Sequence, residues 1–172
     1  SASEMGDAVR VIDNEGDFLQ LCHSRSKGHF MRARCDIKAE TLLLVDASIQ
    51  SPSYLRDTRP SDSVDESLVQ QILADSKLHA RLHHASLEEG PLRASPDRRR
   101  WSDRAWSIAH SQVECNAFAT AISEREQIDE IFPKISMFNH HCWPNACVYV
   151  SSGVIAIVDI ARGSEVSIAY RG

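Results

Sequence analysis

Apolar residues recur along this chain in short alternating runs, interrupted once by a longer stretch at helical spacing. That pattern predicts a frame of strands with a helical region set into it. Val9-Arg10-Val11-Ile12 and Phe18 to Cys22 read as two strands around the turn Asp13-Asn14-Glu15-Gly16. Gly28 to Ala33 is followed by Ile37 and a strand from Thr41 to Val45. Ala47 to Asp62, rich in Ser, Pro and Asp, reads as a loop leaving the sheet. Ser63 with Glu66 fits a capping box, and Val64, Leu68, Val69, Ile72 and Leu73 keep helical spacing on to Leu78 and Leu82, before a break at Glu89-Gly90-Pro91. Ser95 is the expected N-cap, with Pro96 at the first position, of a second helix whose inner stripe is Trp101, Ala105, Ile108 and Ala109 and which reaches toward Val113. Ala146 to Val150 and Val154 to Asp159 flank Ser151-Ser152-Gly153 as a hairpin with a three-residue loop, and Gly163 opens a last alternating strand, Glu165 to Tyr170.

The length of 172 residues suits one domain with a single sizeable core, and 42% apolar with 25% charged residues is ordinary globular composition. A net charge of -5 argues against affinity built on phosphate neutralisation, so no direct nucleic-acid partner is expected and a basic protein or peptide suits the chain better. The one basic run, Arg98-Arg99-Arg100 beside Trp101 and Arg104, reads as a solvated face. No apolar run nears the roughly 18 residues of a membrane span, and the N-terminus lacks a signal-peptide pattern, so an intracellular protein is expected, in nucleus and/or cytoplasm. Five cysteines without C-x-x-C spacing read as reduced thiols, with Cys142 a buried small hydrophobe. The adjacent pairs His83-His84 and His140-His141 cannot face one way on a helix or strand, so no metal is expected.

The densest chemistry lies in Phe132 to Asn145, FPKISMFNHHCWPN. An apolar lead-in of Ile135, Met137 and Phe138 runs into Asn139, His140, His141 and Cys142, and Trp143-Pro144-Asn145 forces an extended or turning backbone. At these residues the chain resembles the SET-domain protein-lysine methyltransferases, nearest their SET-and-MYND subgroup. The family's N-H-S-C-x-P-N signature reads as Asn139 to Asn145 with His141 in place of serine, and its G-E-E-L-x-I-x-Y strand as Gly163 to Tyr170. Cys115-Asn116-Ala117-Phe118 resembles the subgroup's C-N-x-F element, and Gly28 to Val45 the family's opening glycine pattern, which implies a glycine-bearing loop over Gly28 to Ala33. Phe30 stands where that pattern has its second glycine, and Glu40 where it has a turn glycine.

The resemblance implies an α+β, mainly β fold of short strands, closed by a C-terminal pseudoknot. It implies one SET domain over 8–172 with a helical insertion, 47–112, that would form a wall of the substrate groove. The implied cofactor is S-adenosylmethionine, held by Gly28, His29, Phe30, Asn116, Asn139 and His140, and the implied activity is methylation of a lysine on a protein or peptide, histone or not. Tyr170 is the implied catalytic residue, its hydroxyl orienting the transferred methyl group and the amine. Phe30 could crowd the cofactor or pack over it, and His141 could be harmless or could alter the pocket. The cysteine spacing leaves no MYND zinc finger to be expected, and the chain ends at Arg171-Gly172, before the post-SET segment that closes the lysine channel in the family, so that segment either lies beyond this sequence or is replaced by a partner. A degenerate SET domain that binds cofactor or protein without turnover is the competing expectation.

Overall fold

The computed structural model describes residues 7–55, 63–82, 95–97, 99–149 and 152–170, and for residues 63–65 only the backbone. In chain order the elements are β1 (Arg10–Glu15), β2 (Leu19–Ser24), β3 (Gly28–Ala33), β4 (Leu42–Val45), β5 (Ile49–Gln50) and β6 (Tyr54–Leu55), then α1 (Ser63–Ala74), α2 (Ser76–Arg81) and α3 (Asp103–Asn116). They continue with β7 (Phe118–Ala121), β8 (Glu126–Ile131), a 3-10 turn at Ile135–Met137, β9 (Asn139–His140), β10 (Ala146–Tyr149), β11 (Gly153–Ala156) and β12 (Glu165–Ile168). The fold is α+β and mainly β. It divides into two compact units, one of residues 1–47 with 134–172 and one of residues 48–133.

The first unit holds two sheets. One runs β1-β2-β3-β12-β9, antiparallel throughout except that β9 lies parallel to β12. The closing strand β12 is thereby filled on both edges, by β3 through Glu165↔Arg32 and by β9 through Ser167↔Asn139. The other sheet runs β10-β11-β4. Their core is Leu21, Met31, Ile135, Met137, Phe138, Ala146, Val154, Val166 and Ile168, all at most 1% exposed. Gly163, at φ 85°, makes the turn into β12 that a side chain would strain.

The hairpin β1–β2 forms as expected, but its turn is at Gly16 to Phe18. The polar Asp13-Asn14-Glu15 stays in the strand because a bulge at Ile12 resets the register there. Gly28 to Ala33 is a strand rather than a loop, with Gly28 at φ 65° marking its start. In the second hairpin Gly153 is paired with Tyr149 instead of lying in the loop, and the final strand stops at Ile168, two residues before Tyr170.

The second unit is a sheet backed by helices. β8 carries β7 on one edge, and β5 and β6 one after the other on the opposite edge. The stretch expected to be a loop after Ala47 therefore supplies two short strands, whose alternation spans too few residues to register as a period. The single long helix expected up to Leu82 is broken at Asp75, whose carboxylate accepts from Lys77 N and Leu78 N and starts α2 afresh. Likewise Ser102, accepting from Ala105 N, caps α3 in place of Ser95, which instead donates its backbone N–H to Asp103. The buried stripe of α3 is accordingly Trp106, Ala109, His110 and Val113. Leu68, Val69 and Ile72 of α1 are fully buried as their spacing predicted. The side chain of Ser63 and the break at Glu89-Gly90-Pro91 lie outside the described residues.

Candidate active site

Phe138 to Asn145 and the end of β12 come together because β9 and β12 run side by side. The ladder is extended by His141 N donating to Ile168 O at 3.0 Å. Asn145 closes the loop between β9 and β10 onto the same strand: its Nδ2 donates to Glu165 O at 2.8 Å and its Oδ1 accepts from Ser167 N at 2.9 Å. One amide side chain thus satisfies both polar groups of a strand backbone, which suits asparagine's paired donor and acceptor.

Tyr170 follows directly and is held at both ends. Its hydroxyl donates to Phe138 O at 2.6 Å, and its backbone N–H donates to His140 Nδ1 at 3.1 Å. The His140 and Tyr170 rings sit 5.3 Å apart, centre to centre. Because Nδ1 accepts, the proton of a neutral His140 is on Nε2, which faces Cys142 Sγ at 3.6 Å. The Tyr170 residue is 44% exposed, yet its hydroxyl end is turned inward, and burial pushes the phenol above its ordinary value of 10.0. At neutral pH it is an uncharged phenol whose proton is committed to a carbonyl, leaving its lone pairs to accept.

Asn139 is half-buried, and its Nδ2 donates to Glu165 Oε1 at 2.8 Å. Glu165 also takes an ion pair from Lys27, whose ammonium stands 5.5 Å from the centre of the Phe30 ring. Gly28, His29 and Phe30 are consecutive in β3, next to β12 in the same sheet. The ring of His29 meets that of His23 edge-on at 5.2 Å, and Phe30 is 4% exposed. Asn116 belongs to the other unit, as the buried last residue of α3, with Nδ2 donating to Gln112 O at 2.7 Å. Cys142 is exposed, which corrects its expected burial: β9 ends at His140 and the Cys142-Trp143 turn projects outward, Trp143 being 87% exposed. All five cysteines are free thiols. Among the described residues no cluster of His, Cys, Asp or Glu could hold a metal ion.

Lys27, Asn145 and Glu165 are central to this arrangement but carried no role in the sequence. Asn145 and Glu165 stood inside the quoted motifs, and Lys27 directly before Gly28, so the signal available was adjacency.

The family model of the SET domain matches residues 28–171. The chain belongs to the SET-domain family. It is 38% identical over 64 residues to the N-lysine methyltransferase SMYD2-B of Danio rerio, a stretch that is 35% of this chain and only 15% of that protein. Among solved structures it is similar to a candidate histone methyltransferase of Plasmodium falciparum, with TM-score 0.42, 13% identity and coverage of 91% of this chain and 96% of that one. It is similar also to the Neurospora SET domain protein DIM-5, a histone lysine methyltransferase, with TM-score 0.39, 14% identity and coverage of 90% and 52%. Within this SET domain, the parallel pair β9–β12 is what gathers Asn139, His140 and Tyr170.

Proposed function

We propose that this chain transfers a methyl group from S-adenosylmethionine to the side-chain amine of a lysine on a protein substrate, histone or non-histone. The observation that carries the reading is the double anchoring of Tyr170 beside the Asn139-His140 motif. The residues fit such a cofactor. Asn139 Oδ1 has no hydrogen-bond partner among the described residues while Nδ2 is engaged, so an acceptor stands ready for an ammonium group. Gly28, His29, Phe30 and His140 are the further residues proposed to line it, and for Asn116 a cofactor contact is proposed on its motif alone. The cofactor supplies an electrophilic methyl group on a sulfonium.

Everything else falls to the chain's own residues. A protonated lysine has no lone pair with which to attack, so the amine must arrive neutral, and a cationic neighbour together with an aromatic wall disfavours its charged form. Tyr170 contributes position rather than proton abstraction, because its raised phenol stays protonated at neutral pH. Its hydroxyl oxygen, fixed by donation to Phe138 O, accepts from the incoming amine and aligns it, and alignment is the main lever in a displacement of this kind. Asn139 is set by Glu165, and Glu165 in turn by Lys27, so the proposed cofactor side of the site is braced from β12 and from the residue just before β3.

We infer further that the domain boundaries are those of one SET domain over 8–172 with its insertion between the two halves, and that the protein works in nucleus and/or cytoplasm. No helix among the described residues is long and apolar enough to cross a membrane. Calorimetric titration of S-adenosylmethionine into the full-length protein, followed by transfer of labelled methyl groups to lysine-bearing histone and non-histone peptides, tests the reading. Saturable binding with incorporation into lysine is expected. Binding without incorporation favours a cofactor-binding module, and absence of binding removes the proposal.

A further inference from the structure

The chain leaves the first unit after Ala47 and returns to it at Lys134. One side chain ties these two crossings together. Asp46, directly after β4, is 8% exposed, and its Oδ2 accepts from Lys134 N at 2.6 Å and from Ile135 N at 3.0 Å. Those are the amides that open the 3-10 turn at Ile135–Met137, whose own N-cap, Lys134, makes no side-chain capping bond. Asp46 therefore caps the turn from 88 residues away in sequence. Its backbone N–H donates to Ser152 O at 2.8 Å, so the carboxylate is itself tethered. A second carboxylate, that of the buried Glu15 at the end of β1, pairs with Lys134 Nζ at 3.3 Å.

The turn so held is brief and leads straight to the site. It closes with Phe138 N donating to Ile135 O at 3.1 Å, and the next group along the chain is the Phe138 carbonyl that receives the Tyr170 hydroxyl. Ile135, Met137 and Phe138 are at most 1% exposed, so this carbonyl is placed by packing on its flanks and by hydrogen bonds at its start. A buried carboxylate is costly to desolvate, and burial does raise the Asp46 acid above its ordinary value. Its position over two otherwise unsatisfied amides accounts for that expense.

We propose that Asp46 is a positioning residue for Tyr170: its carboxylate clamps the amides that open the turn before Asn139 and so fixes the Phe138 carbonyl on which the Tyr170 hydroxyl rests. Its kinetic consequence rests on the reading of Tyr170 as the catalytic side chain, but its structural consequence does not. The chain has three tyrosines, so 13C-labelled tyrosine signals followed through an alkaline titration isolate the Tyr170 phenol, identified by its loss in Tyr170→Phe.

In a folded Asp46→Ala protein Tyr170 is expected to titrate closer to the ordinary phenol value than in the parent, because the loosened turn lets water reach the hydroxyl. Asp46→Asn is expected to restore the parent titration, since a single oxygen receives both amides and an amide oxygen can replace it. Should Asp46→Ala fail to fold, Asp46→Ser, too short to reach both amides, is read the same way. In the full-length enzyme kcat for Asp46→Ala should fall about tenfold or more, with cofactor Kd within about twofold and recovery in Asp46→Asn, as for a catalytic group moved a fraction of an ångström. A folded variant without the clamp whose Tyr170 titration is unmoved overturns the proposal. A moved titration in a protein that never methylates lysine supports the clamp and counts against the methyltransferase reading alone.

Discussion

Replacing Tyr170 by phenylalanine deletes one oxygen and keeps the ring, which makes it the cleanest perturbation of the site. In the structure that oxygen makes one bond, to the buried Phe138 carbonyl at 2.6 Å. Removing the donor leaves the carbonyl of the fully buried Phe138 without its partner, which costs about 1 to 3 kcal/mol. For a chain of this size about 1 kcal/mol lowers Tm by roughly 2 to 4 °C. The hydroxyl makes no hydrogen bond to Asn139 or His140, so cofactor affinity should stay within about twofold. Turnover should instead fall about 10² to 10³-fold, the usual loss when one preorganised polar contact to the reacting atoms is removed. The assay is methyl transfer to a lysine peptide by the full-length protein, with Tm and cofactor Kd measured on the same sample. Transfer at the parent rate, or a tenfold weaker Kd at unchanged kcat, refutes the assignment.

Three further outcomes follow from other parts of the molecule. Glu40 holds φ at 66° on a non-glycine backbone, so Glu40→Gly should stabilise the protein by up to about 1 kcal/mol in a denaturant melt, and a loss of stability would show that its side chain matters more than its strain. Gln112 is 1% exposed, donates to His79 O and Leu82 O and accepts from His79 Nδ1, tying α2 to α3; Gln112→Ala should cost about 2 to 4 kcal/mol, and a cost near zero refutes this tie. Asp7 accepts from the backbone N–H groups of Arg25 and Ser26 and from the Ser26 hydroxyl, and the Ser26 hydroxyl bond above all holds its acid down to about 2 from 3.8. A depressed acid contributes stability that is complete above 3.8 and lost as pH falls through about 2, so Asp7→Ala should flatten the fall of Tm across that window, and an unchanged profile would show the tether to be idle.

Much of the strand frame of the first unit was legible because turns with glycine at positive φ, at Gly16 and Gly163, punctuate short apolar runs, whereas Gly28 to Ala33, buried at three of its six positions without strict alternation, did not read as a strand. The second unit was less so. Phe118 to Ala121 and Glu126 to Ile131 went unread, since β8 buries Asp129 and Glu130, and a buried carboxylate next to another defeats any reading by apolar period. What pays for that burial is side-chain chemistry from far along the chain: Tyr54 Oη donates to Asp129, and Ser48 Oγ and Gln50 Nε2 donate to Glu130. The broken helix at Asp75 and the shifted cap at Ser102 are local competitions between two plausible caps, and the one whose carboxylate or hydroxyl meets free amides prevails. At the candidate site, the proximity of Asn139, His140 and Tyr170 was legible by motif. Their support from Asp46, Asn145, Glu165 and Lys27 was not, because each acts through a partner at least twenty residues distant.

The three departures from the family pattern bear on whether this domain is degenerate, and each has a physical accommodation. Phe30 belongs to a strand and not to a loop. It lies in β3 opposite Cys22, 4% exposed, with the Lys27 ammonium near its ring, so its bulk is absorbed by the sheet's own packing. Glu40 adopts the left-handed conformation itself, with its N–H donating to Ala156 O at 2.7 Å, and thus replaces a turn glycine at the cost of strain alone. His141 is exposed, and its Nδ1 accepts from Trp143 N at 3.0 Å, a local bond that a serine hydroxyl at this position could also make. None of the three interrupts the chain of contacts from Lys27 through Glu165 to Asn139, or the two anchors of Tyr170. With the site's hydrogen bonds intact despite all three departures, none of them supplies a physical reason to prefer the degenerate reading over the catalytic one.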